Sequence, residues 1–272
     1  MRVSTSLVTA LVLAATPAHS QVIKFARVMA SSASITIDMR SPMERNGMPA
    51  DTPISGAPYS GRQVFATAQI QPDGTRVAGA NPTQVTVIAR DSMGRVRTER
   101  PAVVTAQMPF FKMVTIEDPI GGYRYFLDPV NHVAHRMALP SDRKLPAPVS
   151  AQISAVRAVR PAEQGSGIVT ATESLGANIV SGVNALGQRT TITYGPESET
   201  GKDHPAVSVQ ESWISPLLGI VVSSRTLTVA GLERTVTMAD LRPIEPDPAL
   251  FQVPPGYRVE EEVGDFTIVI PR

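Results

Sequence analysis

The sequence predicts a mainly β protein, an antiparallel sheet with little helix, and three observations predict it. Apolar and polar residues alternate over a series of short runs, as in Val64, Ala66, Ala68 and Ile70, the period-2 pattern of a half-buried strand. Gly, Pro, Asp and Asn separate the runs at short, regular spacing, the signature of a meander of hairpins. Near-helical spacing occurs only in short stretches, at Ile153, Val156 and Val159 and in one turn after Asp247.

The elements follow in order. Arg62 to Gln71 is a strand ended by Pro72-Asp73-Gly74, where Pro presets φ and Gly accepts a positive one. Gln84 to Arg90 comes next, closed by Asp91-Ser92-Met93-Gly94. Arg95 to Arg100 is short and polar and reads as an edge or a twisted hairpin arm. Lys112 to Asp118 and Tyr123 to Asp128 are strands joined through Pro119 to Gly122, and Asp128-Pro129-Val130-Asn131 turns the chain into His132 to Leu139. After an interruption, Ile168 to Leu175, Ala177 to Ala185 and Gln188 to Tyr194 are strands, the last two joined at Leu186-Gly187. Val207 to Ile214, Ile220 to Val229 and Glu233 to Leu241 follow, with a tight turn at Ala230-Gly231. Asp247 and Pro248 read as the cap and first residue of a single helical turn. Phe266 to Ile270 is a last apolar stretch that either joins a sheet or trails.

Three segments lie outside this meander. Residues 1–20 have a basic start at Arg2, a short apolar run from Leu7 to Ala15 and small residues in Ala18-His19-Ser20. That is the pattern of a secretory signal peptide cleaved after Ser20, which implies a periplasmic or secreted protein. Residues 21–60, broken by Pro42, Pro49, Pro53 and Pro58, read as a flexible N-terminal segment. Residues 61–272 then form a single β domain with a flexible connection at 140–167, where Pro140, Pro146, Pro148 and Pro161 recur. A connection that long is a lid, a linker or disordered.

Composition excludes several classes. The 272 residues carry 25 Lys and Arg against 24 Asp and Glu. Losing Arg2 with the leader leaves 24 against 24, so the processed chain is formally neutral. It lacks the basic footprint of a nucleic-acid binder and any polybasic segment for anionic lipid. It has no cysteine, hence no disulfide, thiol nucleophile or lipid-bearing cysteine. After the leader no apolar run reaches the roughly 20 residues of a membrane helix. There is no Walker loop, no G-x-G-x-x-G and no G-x-S-x-G elbow, so no cofactor and no catalytic residue is assigned.

The C-terminal third carries a family resemblance. Its residues are Glu173-Ser174-Leu175-Gly176 with the hairpin holding Gly182-Val183, Gly187 and Arg189-Thr190-Thr191, then Glu211-Ser212-Trp213-Ile214-Ser215-Pro216, and most specifically Glu245-Pro246-Asp247-Pro248-Ala249-Leu250-Phe251-Gln252-Val253-Pro254. In these the chain resembles uncharacterised secreted bacterial proteins of the LolA/LolB/RseB-like superfamily, over residues 168–257 and more weakly over 61–139. The resemblance implies one strongly curved antiparallel sheet, half-barrel-like, whose concave side can hold an apolar ligand such as an acyl chain. The lipoprotein carriers place helices over the open mouth. Here only 149–159 is available to do so.

Five groups of residues bear on chemistry. His132 and His135 stand three apart with Asp128 nearby, but on a strand such residues point to opposite faces, so no metal site is assigned. Glu197, Glu199, Asp203 and His204 crowd one loop without the ordered spacing of a calcium site and read as solvated surface, as does the run Glu260-Glu261-Glu262. Phe110-Phe111 reads as packing under the sheet. Trp213, the only tryptophan, shares a strand face with Val207 and Val209; it is a core anchor or the wall of a ligand groove, and it is the one candidate ligand-binding residue.

The resulting expectation is a non-enzymatic, soluble, extracytoplasmic protein that binds a hydrophobic ligand or a protein partner on a curved β-sheet. Its partners would be a lipid or other apolar molecule, or an envelope protein. A secreted hydrolase using some of His132, His135, His204 and nearby acids is the alternative. A structural or assembly component pairing through its edge strands is a third reading.

Overall fold

The computed structural model describes residues 26–30, 34–39, 53–79, 83–101, 112–140, 147–148, 167–198, 200–201 and 205–271. The leader, Phe110-Phe111, Glu199, Asp203, His204 and the 149–159 stretch lie outside them. The strands are β1 (Ala26–Ala30), β2 (Ser34–Met39), β3 (Ile54–Ser55), β4 (Tyr59–Ile70), β5 (Arg76–Ala78), β6 (Gln84–Arg90), β7 (Val96–Pro101), β8 (Lys112–Asp118) and β9 (Tyr123–Asp128). They continue as β10 (Val133–Ala138), β11 (Ala147–Pro148), β12 (Ile168–Val180), β13 (Val183–Tyr194), β14 (Ala206–Ser215), β15 (Ile220–Leu227), β16 (Leu232–Arg242), β17 (Arg258–Glu261) and β18 (Phe266–Pro271).

Thirteen of them form one open sheet in the order β12-β13-β14-β15-β16-β4-β6-β7-β8-β9-β10-β17, with β5 paired beside β4. Every pairing in it is antiparallel except the last, where β17 runs parallel to β10. A parallel neighbour needs a long crossover, and the chain supplies it by returning from β16 through residues 243–257. Separately, β1, β2 and β18 make a three-stranded sheet and β3 pairs β11.

The sheet curls strongly. Arg90 on β6 reaches the carbonyl of Leu218, in the hairpin between β14 and β15. In a flat sheet β6 and β15 would lie three strand spacings apart, roughly 14 Å, beyond a guanidinium's reach. Curvature brings Tyr59, Ile88, Val183, Leu218, Val222 and Met238 into one buried cluster. A second cluster joins Ala89, Ile116, Leu127 and Ala134 under Phe251.

Phe251 belongs to the short 3-10 turn Pro248–Phe251, capped by Asp247, whose side chain accepts from the Ala249 N–H at 2.9 Å. The segment is strapped down. Glu245 accepts from the Ser92 N–H at 3.1 Å, and the Arg95 guanidinium lies over the Phe251 ring, 5.2 Å from its centroid. On the opposite face of the same strands, Phe266 packs edge-on against Phe126 at 5.6 Å and stacks on His135 at 4.7 Å. The β7–β10 half of the sheet is therefore covered on both sides, since adjacent residues such as Phe126 and Leu127 point to opposite faces.

Two strand readings are corrected and a third is narrowed. The turn that joins β12 to β13 is Ser181-Gly182, not Leu186-Gly187. Both residues have positive φ, 52° and 79°, as a two-residue type I′ hairpin turn requires. Strand β12 runs on through a bulge between Ser174 and Gly176, and Gly187 sits inside β13. Of the two readings of β7, the hairpin arm holds, since it pairs antiparallel with β6 across the turn at 91–95, and the edge does not, since β8 lies on its other side. Its polar residues fit there because they are partnered: Thr98 and Thr115 share a hydroxyl hydrogen bond of 2.5 Å, and Glu99 accepts from Lys112 at 2.6 Å. The run at 260–262 is not a free solvated stretch, because β17 docks it on β10. Glu261 pairs with Arg136, and Glu262 is bonded to His135.

Candidate functional site

The part of the sheet made by β12, β13 and β14 differs from the rest. Every residue of β14 from Ala206 to Ile214 is half-buried or exposed, and so is most of β12. With both alternating sets of side chains partly open, this wing is a single layer among the described residues. Strand β12 is an edge, and its apolar Val169 and Ile179 are 64% and 70% exposed.

Long strands hold this shape without a core because cross-strand pairs tie them. Arg189 on β13 donates to Glu211 of β14 at 2.8 Å and to Glu173 of β12 at 2.7 Å. Those bonds, that to Glu211 first, push the Arg189 guanidinium pKa up from its ordinary value. The ladder locks the register of all three strands.

Trp213 stands two residues beyond Glu211, opposite Gly187, and is half-buried. It packs against the edge of the Tyr59–Met238 cluster. Its neighbour Ile214, paired with Leu186, points to the other face. There the wing forms a groove of about 560 Å³, lined by Ala177, Leu186, Ile214 and Pro216 together with the polar Ser174 and Gln188. Trp213 thus flanks the groove from the core side and does not line it. The bulge at Ser174/Gly176 opens the edge of β12 at this point, and Gly176 permits it with φ of 77°.

The two histidines stand apart. His132 sits in the turn before β10 with φ of 51°, exposed, its ring edge-on to Tyr257. His135 is buried. Asp128 joins neither: one carboxylate oxygen accepts from the Val130 and Asn131 N–H groups, the other from the Asn131 amide. What sequence reasoning missed is that His135 meets Glu260 and Glu262, because that contact depends on the parallel docking of β17. Glu197 closes on Gly167, where a Cβ on the glycine would fall 2.8 Å from the Glu197 Cβ. No helix among the described residues is long and apolar enough to cross a membrane.

The described residues define an open, curved, almost wholly antiparallel β-sheet protein with one uncovered wing. No family model and no curated protein matches the chain. Solved structures do, each at low identity and a low TM-score. A chain from the Pseudomonas aeruginosa MucA/MucB complex matches at 14% identity and a TM-score of 0.33, covering 71% of this chain and 55% of its own length. This chain therefore spans about half of that relative. LprF from Mycobacterium bovis matches at 9% identity and a TM-score of 0.31, over 71% of this chain and 90% of LprF. The Mycobacterium tuberculosis lipoprotein LppX matches at 11% and 0.28, over 71% and 91%. Likeness at this level carries no argument about ligand or partner.

Proposed function

We propose that the chain is a non-enzymatic extracytoplasmic protein that binds an apolar ligand, or an apolar segment of a partner, on the wing formed by β12, β13 and β14. The observation that supports this is the groove beside Ile214 and Leu186, open on a single-layer wing. Apolar sheet surface left in water is unfavourable by about 25 cal/mol per Å², and a ligand or partner removes that exposure. A volume of about 560 Å³ falls within the roughly 300–1,000 Å³ typical of small-molecule sites. The groove mixes the aliphatic walls of Leu186 and Ile214 with the polar Thr172, Glu173, Ser174 and Gln188, a lining suited to an acyl chain carrying a polar head. Trp213, adjacent to Ile214 in the strand, is placed to sense occupancy from the other side of the sheet.

The test is to purify the chain after export and extract it for mass spectrometry of co-purified lipids, then to titrate the delipidated protein with a medium-chain fatty acid. A stoichiometric lipid and a saturable change in Trp213 emission support the reading. A ligand-free protein whose emission does not respond overturns it for a lipid. Concentration-dependent association through the β12 edge would instead favour the assembly reading.

A further inference from the structure

The sheet's far edge holds a set of side chains that the ligand site does not use. The parallel register of β10 and β17 sets His135 directly opposite Glu260. Glu262, two residues on, returns to the same face, and its N–H donates to the Arg136 carbonyl at 2.8 Å. At the other end of β17 the Arg258 N–H donates to the His132 carbonyl at 3.0 Å. The strand is thus fixed on both sides of the cluster. One ligand atom from each of His135, Glu260 and Glu262 lies within 4.8 Å of the other two.

From this geometry we infer that His135, Glu260 and Glu262 form a site for a borderline divalent cation of the zinc class. The donor set is one imidazole nitrogen and two carboxylates, which suits a first-row transition dication better than magnesium or calcium, which favour oxygen alone. Zinc bonds of about 2.0–2.2 Å in a tetrahedral arrangement put neighbouring ligand atoms roughly 3.3 Å apart. The His135 Nδ1 to Glu262 Oε1 separation is 2.6 Å and the three ligand atoms all lie within 4.8 Å of one another, a spread that brackets that value. Arg258 donates to one oxygen of Glu260 at 2.7 Å, leaving the second for the metal.

Two further features favour occupancy. The imidazole is held by Phe266, stacked 4.7 Å from it, so little rotamer freedom is lost on binding. Two carboxylates also converge beside a buried imidazole, and a dication neutralises their mutual repulsion. Three protein ligands leave a fourth position for water. The site would clamp the parallel edge strand, and with it the Phe266 contact, onto the large sheet.

The experiment is titration of the exported, chelator-treated full chain with zinc sulfate alone, read by calorimetry and by thermal unfolding, for the wild type, Glu260→Gln and Glu262→Gln. Each metal-free variant is melted alongside the wild type, and a cooperative transition identifies it as folded before zinc is added. The assignment expects one zinc per chain, a higher melting temperature with zinc, and binding weakened at least about tenfold by each substitution. A titration with no stoichiometric uptake, or uptake that either substitution leaves intact, overturns it.

Discussion

The Trp213 indole lies across the backbone of Gly187 on the neighbouring strand. A Cβ built at Gly187 would fall 2.7 Å from Trp213 Cζ3 and 2.8 Å from the Leu175 Cβ. Gly187 does not have a positive φ, so the need for glycine here is space. Gly187→Ala should destabilise the protein by about 1–3 kcal/mol through overpacking and shift the emission of its single tryptophan. A thermal melt followed by Trp213 fluorescence checks both. An unchanged melting temperature and spectrum would mean that the ring does not rest on the glycine.

Arg90 is a buried guanidinium whose hydrogen-bond partners among the described residues are backbone carbonyls. Its Nε and Nη2 donate to the Ala57 carbonyl at 2.9 and 2.7 Å, and Nη2 also reaches the Leu218 carbonyl. Burial pulls its pKa down from the usual arginine value, while the Tyr59 ring lies 4.8 Å beneath it. Arg90→Met removes the cost of burying a charge but leaves two carbonyls unsatisfied, at about 1–3 kcal/mol each. The second effect should win, lowering stability by at least about 2 kcal/mol in urea unfolding. Equal or greater stability would show that the guanidinium's desolvation outweighs its bonds.

Glu233 carries the acid sensitivity of the central strands. Arg76 and Arg225 each donate to one of its oxygens at 2.6 Å, and these bonds hold its carboxyl below the ordinary value of 4.5. A carboxylate with a depressed folded-state pKa contributes stability that is fully present above its unfolded pKa. That stability is lost as pH falls through the folded one. Glu233→Gln should therefore lower the melting temperature at neutral pH, and its gap from the wild type should close progressively as pH falls below 4.5. A gap constant with pH would assign the loss to packing instead of charge.

Ser181 holds φ of 52° in the β12–β13 turn ahead of Gly182. A left-handed conformation is strained for most L-residues and easy for asparagine, which is preferred before glycine in such turns. Ser181→Asn should raise stability by up to about 1 kcal/mol, measured as a higher denaturation midpoint with an unchanged slope. A lower midpoint would mean that the turn is not of this type.

Local chemistry made most strands legible. Alternation located β4 and β6, and the turns at Pro119 to Gly122 and Asp128 to Asn131 bounded β8 to β10, to within a few residues. The Asp247-Pro248 cap was readable because it depends on adjacent residues only. Gly187 was misread as a turn because glycine signals both a turn and a close approach. Nothing local distinguishes them when the approaching ring comes from residue 213. The polar strand β7 reads equally as an edge or a hairpin arm because the partners that decide it, Thr115 and Lys112, lie on another strand.

The sequence by itself determined the β class, the succession of hairpins, the single capped turn and the absence of any cysteine chemistry. Each of these depends on composition or on residues close together in the chain. The tertiary structure alone decided that β17 docks parallel to β10, so that Glu260 and Glu262 meet His135, and that β12 to β14 stand, among the described residues, as an uncovered layer beside a curled core. These depend on contacts between residues more than a hundred positions apart, such as His135 with Glu262 and Arg90 with Leu218. Side-chain periodicity reports which face of a strand is buried. It does not report which distant strand arrives to bury it, or whether one arrives at all.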